Sequence, residues 1–234
     1  MKDYKKEIEF FYNKILNGDK FALSKFADGE WGAIKGTSFF PANGEWEANG
    51  NHPLFELARK ELIESIQYKH SNYYVAICPC YKEAIEFSGQ DESQITYANI
   101  FVNSNYSYFK EKYVPLFSER DIHLITHKNT NLENLPFKVE KFYPIEYNAW
   151  VLNRELPEII LDSNPKDKLF LFAAGSFANI LAYKLWKNNK HNTYLDIGST
   201  LNIWTKIELL KRDYYMGNKE LENLCCPCPN YDFI

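Results

Sequence analysis

Residues 168–200 constrain the fold more tightly than any other stretch of this chain. Lys168 leads into an unbroken apolar run, Leu169-Phe170-Leu171-Phe172-Ala173-Ala174, which stops at Gly175-Ser176. A strand that is apolar on both faces must be covered on both faces, as a buried parallel strand is. Phe177 to Lys187 then carries helical periodicity, and Thr193 to Ile197 forms a second short apolar run. Gly198-Ser199-Thr200 is another small-residue turn, before a helix through Leu210. Strand, glycine turn, helix, strand is the unit from which open α/β sheets are wound.

The rest of the chain continues the alternation. Tyr4, Ile8, Phe11 and Ile15 mark an amphipathic helix over residues 3–17 that stops at Gly18, and Phe21 to Ala27 is a strand. Pro53 starts a helix carried by Leu54, Leu57, Ala58, Leu62 and Ile66. Strands follow at Tyr73–Ile77, Ile122–Thr126 and Phe137–Tyr143, with helices at Tyr81–Phe87 and Tyr106–Phe117. A further helix begins near Asn148, and Pro157 kinks or restarts it. The expected architecture is a single α/β domain over residues 1–234, an open, mainly parallel sheet with helices on both faces. Its core spans about residues 20–205, and residues 206–234 form a C-terminal helix and a Cys/Pro tail. A chain of 234 residues can bury such a core without disulfides or a structural metal.

Composition removes some function classes. The formal net charge of −4 argues against non-specific binding to nucleic acid or an anionic membrane, and no basic cluster interleaved with aromatics is present. The N-terminus lacks an apolar leader, and no run approaches the roughly 18 apolar residues of a membrane span, so a cytoplasmic location is expected. Cys78-Pro79-Cys80 and Cys225-Cys226-Pro227-Cys228 space their thiols too closely for a usual zinc knuckle, and they read better as free thiols or a docked tail.

In an open α/β sheet, ligands bind outside the carboxyl ends of the strands. Three strand ends carry suitable residues here. At the first, Asp28-Gly29-Glu30 places two acids around a glycine. From an extended backbone both carboxylates lean toward one hard cation, and Gly29 lets a ligand approach the backbone. The alternative is a local turn with Glu30 opening a helix. At the second, Gly175-Ser176 offers the free N–H groups of a helix N-terminus to a phosphate. The third carries Asp196, ahead of Gly198-Ser199-Thr200; it either faces the cleft, caps the following helix or pairs with Lys25. The aperiodic segment 37–52 is a candidate substrate loop, with Trp46 as a stacking residue for sugar or base. The five histidines show no metal-ligand spacing, and His123 and His127 flank a strand.

Lys25-Phe26-Ala27-Asp28-Gly29-Glu30, with Gly36 beyond it, resembles the N-terminal signature of the GT-D-type glycosyltransferases, which is close to Arg-Phe-Gly-Asp-Gly-Glu. Tyr143-Pro144-Ile145-Glu146-Tyr147-Asn148-Ala149-Trp150 resembles that family's middle element, and Leu169 to Gly198 its C-terminal strand, glycine, helix and Asp-Ile-Gly. The three elements keep their order over most of residues 20–205. Two departures stand out: Lys25 replaces Arg and loses bidentate phosphate geometry, and Ser199-Thr200 stand where the family often has His.

The resemblance implies a Rossmann-like fold and sugar transfer from a nucleotide sugar, a UDP-sugar foremost, to a glycan, lipid-linked or protein acceptor. It implies Mn2+ or Mg2+ held by Asp28 and Glu30, which neutralises charge on the departing nucleoside diphosphate. Lys25, Gly29, Gly175, Ser176 and Trp46 are the expected donor-binding residues. Asp196 is the first candidate base and Glu146 the second. Two competing readings are an S-adenosylmethionine-dependent methyltransferase, suggested by Asp196-Ile197-Gly198, and a catalytically silent nucleotide-sugar-binding protein.

Overall fold

The apolar runs pair side by side as seven parallel strands in the computed structural model, which describes residues 2–36 and 54–205. The strands are β1 (Ala22–Phe26), β2 (Tyr73–Ile77), β3 (Ile95–Tyr97), β4 (Ile122–His127), β5 (Lys141–Ile145), β6 (Leu169–Ala173) and β7 (Thr193–Asp196). They lie in the order β3-β2-β1-β7-β6-β4-β5, each parallel to its neighbours. All residues of β2 and β7, and four of the five in β6, are buried, as double-faced apolar strands require.

The α-helical segments are α1 (Tyr4–Leu16), α2 (Asp28–Lys35), α3 (Phe55–Gln67), α4 (Lys82–Ser88), α5 (Tyr106–Tyr108), α6 (Val114–Phe117), α7 (Ala149–Leu152), α8 (Leu156–Asp162), α9 (Phe177–Asn188) and α10 (Asn202–Thr205). Two apolar cores form, one on each face of the sheet. Helices α2, α3, α4, α7, α8 and α9 cover the face presented by Ala22, Val75 and Phe172. Helix α1 and the α5–α6 segment cover the face presented by Leu23, Leu124 and Leu195. Crossovers that step toward β3 run over the first face, and those that step toward β5 run over the second. Right-handed connection requires that division. The chain therefore leaves β1 toward α2 on one face, while it leaves β7 toward Leu201 on the other. Their carboxyl ends therefore form a switch point of the sheet, a place where ligands bind in open α/β folds.

Four local readings change. Asp28 to Lys35 is a helix, nearer to the alternative of a local turn with Glu30 opening a helix than to the extended backbone that aims both carboxylates at one cation. Strand β3 is only three residues long and was not foreseen. The strand expected at Phe137–Tyr143 runs at Lys141–Ile145, and it accommodates Pro144 because it is an edge strand paired only with β4. The helix expected at Tyr106–Phe117 contains a π-helical turn at Phe109–Tyr113. Pro115 lacks the N–H that would close the regular turn onto Glu111, so the ladder widens just before it. Pro157 restarts the chain as α8 rather than kinking a longer helix. No helix among the described residues is long and apolar enough to cross a membrane.

Candidate functional site

At the carboxyl end of β1, Ala27 is the N-cap of α2, and Asp28, Gly29 and Glu30 form its first turn. Both acids suit the positive end of the helix dipole. Residues two apart on a helix point about 200° apart, so the two carboxylates do not lean the same way, as an extended backbone would have made them. Asp28 is exposed, while Glu30 folds back and its Oε2 accepts the Ala27 N–H at 2.9 Å. Burial pushes the Glu30 carboxyl up to about 7, against the pull of the Glu30 and Ala27 N–H groups. The charges of Asp196 and Asp28 raise it further. Glu30 thus feels both other acids at the carboxyl ends of β1 and β7.

Asp196, the last residue of β7, is almost wholly buried. Its Oδ2 accepts the Lys25 N–H at 3.1 Å and its Oδ1 accepts the Gly198 N–H at 3.0 Å. Burial pushes its carboxyl up, opposed by the Lys25 charge and these two N–H groups. The side chain therefore joins β1 to β7 just where their backbone ladder ends at the Leu23–Leu195 pair. Both hydrogen bonds of this acid go to backbone N–H groups, so it caps the Gly198 turn and holds the Lys25 backbone, while the Lys25 charge acts on it through space. Gly198 adopts φ +55°, and a Cβ there would come within 2.7 Å of Lys25 Nζ. Glycine at 198 thus serves both the left-handed turn and the close passage of the lysine. The same Nζ lies 5.9 Å from the Phe101 ring centroid.

At the end of β6, Gly175 has φ +54° and Ser176 caps α9 without a side-chain capping bond. The Ser176 Oγ is buried and has no hydrogen-bond partner among the described residues. One turn on, the fully buried Asn179 donates through Nδ2 to the Lys25 carbonyl at 2.6 Å and to Ser24 Oγ at 3.2 Å. Helix α9 thereby holds the end of β1.

Farther along the sheet edge, β4 ends at His127 and β5 at Ile145, followed by Glu146 and Tyr147. The His127 and Tyr147 ring centroids lie 4.2 Å apart, with the rings tilted by 39°. Glu146 Oε1 meets Lys128 Nζ at 2.7 Å. Three strand spacings separate β1 from β4 and four separate β1 from β5, roughly 14 and 19 Å. The sheet therefore brings Lys25, Asp28, Gly29, Glu30 and Asp196 together and sets Gly175-Ser176 two strands away. Glu146 does not join them. Trp46 and the second cysteine cluster lie outside the described residues, while Cys78 and Cys80 bring their Sγ atoms to 3.0 Å at the end of β2.

Among the described residues no three His, Cys, Asp or Glu side chains form a ready metal cage. Glu30, held from ionising by its burial, is the acid whose charge a divalent cation would relieve, and Asp28 would join it only through ligand oxygens completing the sphere. His127 shows no metal-ligand spacing in the sequence. Its signal was its place as the last residue of a buried strand, at the edge where ligands bind.

No family model matches the chain, and no curated protein matches it. Two solved structures are similar. One is of the highly conserved domain of unknown function 1792, described as having a distinct glycosyltransferase fold. The other is a selenomethionine-substituted structure of domain of unknown function 1792. Each is 17% identical with a TM-score of 0.61, over 91% of this chain and 81% of the other. At that identity the likeness is one of architecture: the chain adopts the Rossmann-like α/β fold described there as a glycosyltransferase fold.

Proposed function

We propose that this protein is a metal-dependent glycosyltransferase that moves a sugar from a nucleoside-diphosphate sugar, foremost a UDP-sugar, to a glycan, lipid-linked or protein hydroxyl. The observation that carries the reading is the Glu30 carboxyl, pushed up by burial and by the charges of Asp196 and Asp28 at the carboxyl ends of β1 and β7, in a glycosyltransferase fold. Asp28 and Glu30 would hold Mn2+ or Mg2+, which supplies charge neutralisation for the departing diphosphate. Lys25 contributes a second positive charge. The open N–H groups at Gly175-Ser176, with the unpartnered Ser176 hydroxyl, suit a phosphate oxygen.

The acceptor hydroxyl attacks the anomeric carbon, the bond to the diphosphate breaks, and the hydroxyl proton passes to a carboxylate. Asp196 remains the favoured base, because its oxygens keep lone pairs beyond the two N–H bonds and burial raises its basicity. Glu146 is too distant from Asp28 and Glu30 for that role.

Thermal unfolding against nucleoside diphosphates and nucleotide sugars, with and without Mn2+, tests the reading. At about 100 times its dissociation constant a ligand adds roughly 2.7 kcal/mol, a shift of a few degrees. The shift should require the metal, and Asp28→Asn should abolish it in a folded protein. Stabilisation by S-adenosylmethionine instead would overturn the proposal. Metal-dependent binding without sugar transfer or hydrolysis would favour the silent binder.

A further inference from the structure

His127 is nine-tenths buried, yet its Nε2 has no hydrogen-bond partner among the described residues. Its Nδ1 accepts the Asn129 N–H at 3.3 Å, so the neutral ring carries its proton on Nε2. Burial lowers the ring's pKa, which keeps that tautomer neutral at pH 7. The ring lines a shallow, open groove at the carboxyl ends of β4, β5 and β6, together with Glu146, Tyr147 and Phe177. Ala173 and Ala174 also line it. Lys128 fixes the Glu146 carboxylate at the rim. The groove therefore offers one buried donor, one anchored acceptor, an aromatic ring and an apolar surface. That combination suits a flat, neutral ring carrying an acceptor next to a donor.

The order of groups along the sheet edge indicates which ring. From β1 to β4 one meets the acids Asp28 and Glu30, then Asp196, then the helix N-terminus at Gly175-Ser176, then His127. Cation, phosphate and ring sites succeed one another as diphosphate, ribose and base do in a nucleotide. The roughly 14 Å between β1 and β4 leaves room for the ribose between the end sites. We infer that the His127 groove is the base pocket of the donor nucleotide, with His127 Nε2–H donating to a ring acceptor and Glu146 accepting from a ring N–H. This rests on the glycosyltransferase reading and turns Glu146 from a base into a specificity residue. The acceptor would then enter from the β2–β3 side.

Titration calorimetry in Mn2+ compares the four common nucleoside diphosphates with inorganic pyrophosphate, which has the phosphates and no base. At least one nucleotide should bind the wild type tenfold or more tightly than pyrophosphate. His127→Phe should remove most of that advantage while leaving pyrophosphate affinity unchanged, which also shows that the variant is folded. His127→Gln returns an N–H close to the lost one and should recover part of it. If His127→Phe leaves the ratio of nucleotide to pyrophosphate affinity intact, the base pocket is wrong and the metal site stands. If neither ligand binds the wild type, both readings fall. A methyl glycoside that shifts the His127 Nε2 resonance where nucleosides do not would make the groove an acceptor site and overturn the assignment.

Discussion

Glu30 holds a costly position in the metal-free protein. Its carboxyl titrates near 7 when folded against an ordinary 4.5, so the folded state retains a proton that the unfolded chain gives up. Stability from this group is fully present below pH 4.5 and is lost as pH rises through 7. Glu30→Gln removes that loss but weakens the capping bond to Ala27. At pH 8 the metal-free variant should be more stable than the wild type, on the order of 1–2 kcal/mol after the cap is discounted. Its urea midpoint should also depend less on pH between 4.5 and 7. The same variant should lose the response to Mn2+ and nucleoside diphosphate. A residue whose removal stabilises the protein and abolishes ligand binding is one kept for function at the expense of the fold. The sequence showed the two acids and the glycine between them, but not which way each faces. That depends on whether Asp28 belongs to the strand or to the helix, which a three-residue window leaves open.

Helix α9 is the element that carries the site from one strand to the next. It starts at the Gly175-Ser176 turn and packs on both β1 and β7. It also fastens β1 through Asn179. Asn179→Ala leaves the Lys25 carbonyl and Ser24 without their buried donor, which should cost about 1–3 kcal/mol, visible as a lower urea midpoint at unchanged m. Because the Lys25 carbonyl adjoins the acid turn, the Mn2+-dependent nucleotide shift should weaken as well. The elements that sequence periodicity located are those with one strong signal: α1 with its four-residue stripe, β6 with its apolar run, α9 with its glycine start. Those it missed have mixed signals. Strand β3 is too short to show alternation, and β5 keeps a proline that only an edge can hold. Helix α2 is preceded by an apolar run that reads as strand up to its first acid.

Across the whole molecule, the last strand among the described residues lies near the middle of the sheet. Strand β7 separates β1 from β6, so its removal leaves two unpaired parallel edges and opens both cores. A chain ending at Lys190 should therefore show no cooperative thermal transition and should bind a hydrophobic dye, whereas the full chain should keep a single transition. Alternating strands and helices announced a parallel sheet with covered faces. The strand order was not legible, because it is set by which crossovers run over which face. The His127 groove is equally non-local, built from strand ends that are far apart in sequence.

The hydrogen bond from Lys25 to Asp196 spans 171 residues of chain. During synthesis Asp28 and Glu30 emerge well before Asp196, which comes from β7, the last strand among the described residues. Contacts of such separation form late in folding, after most loop-closure entropy has been spent. The switch point therefore matures only as the sheet is completed, and a half-made chain displays the two acids without Asp196 beside them.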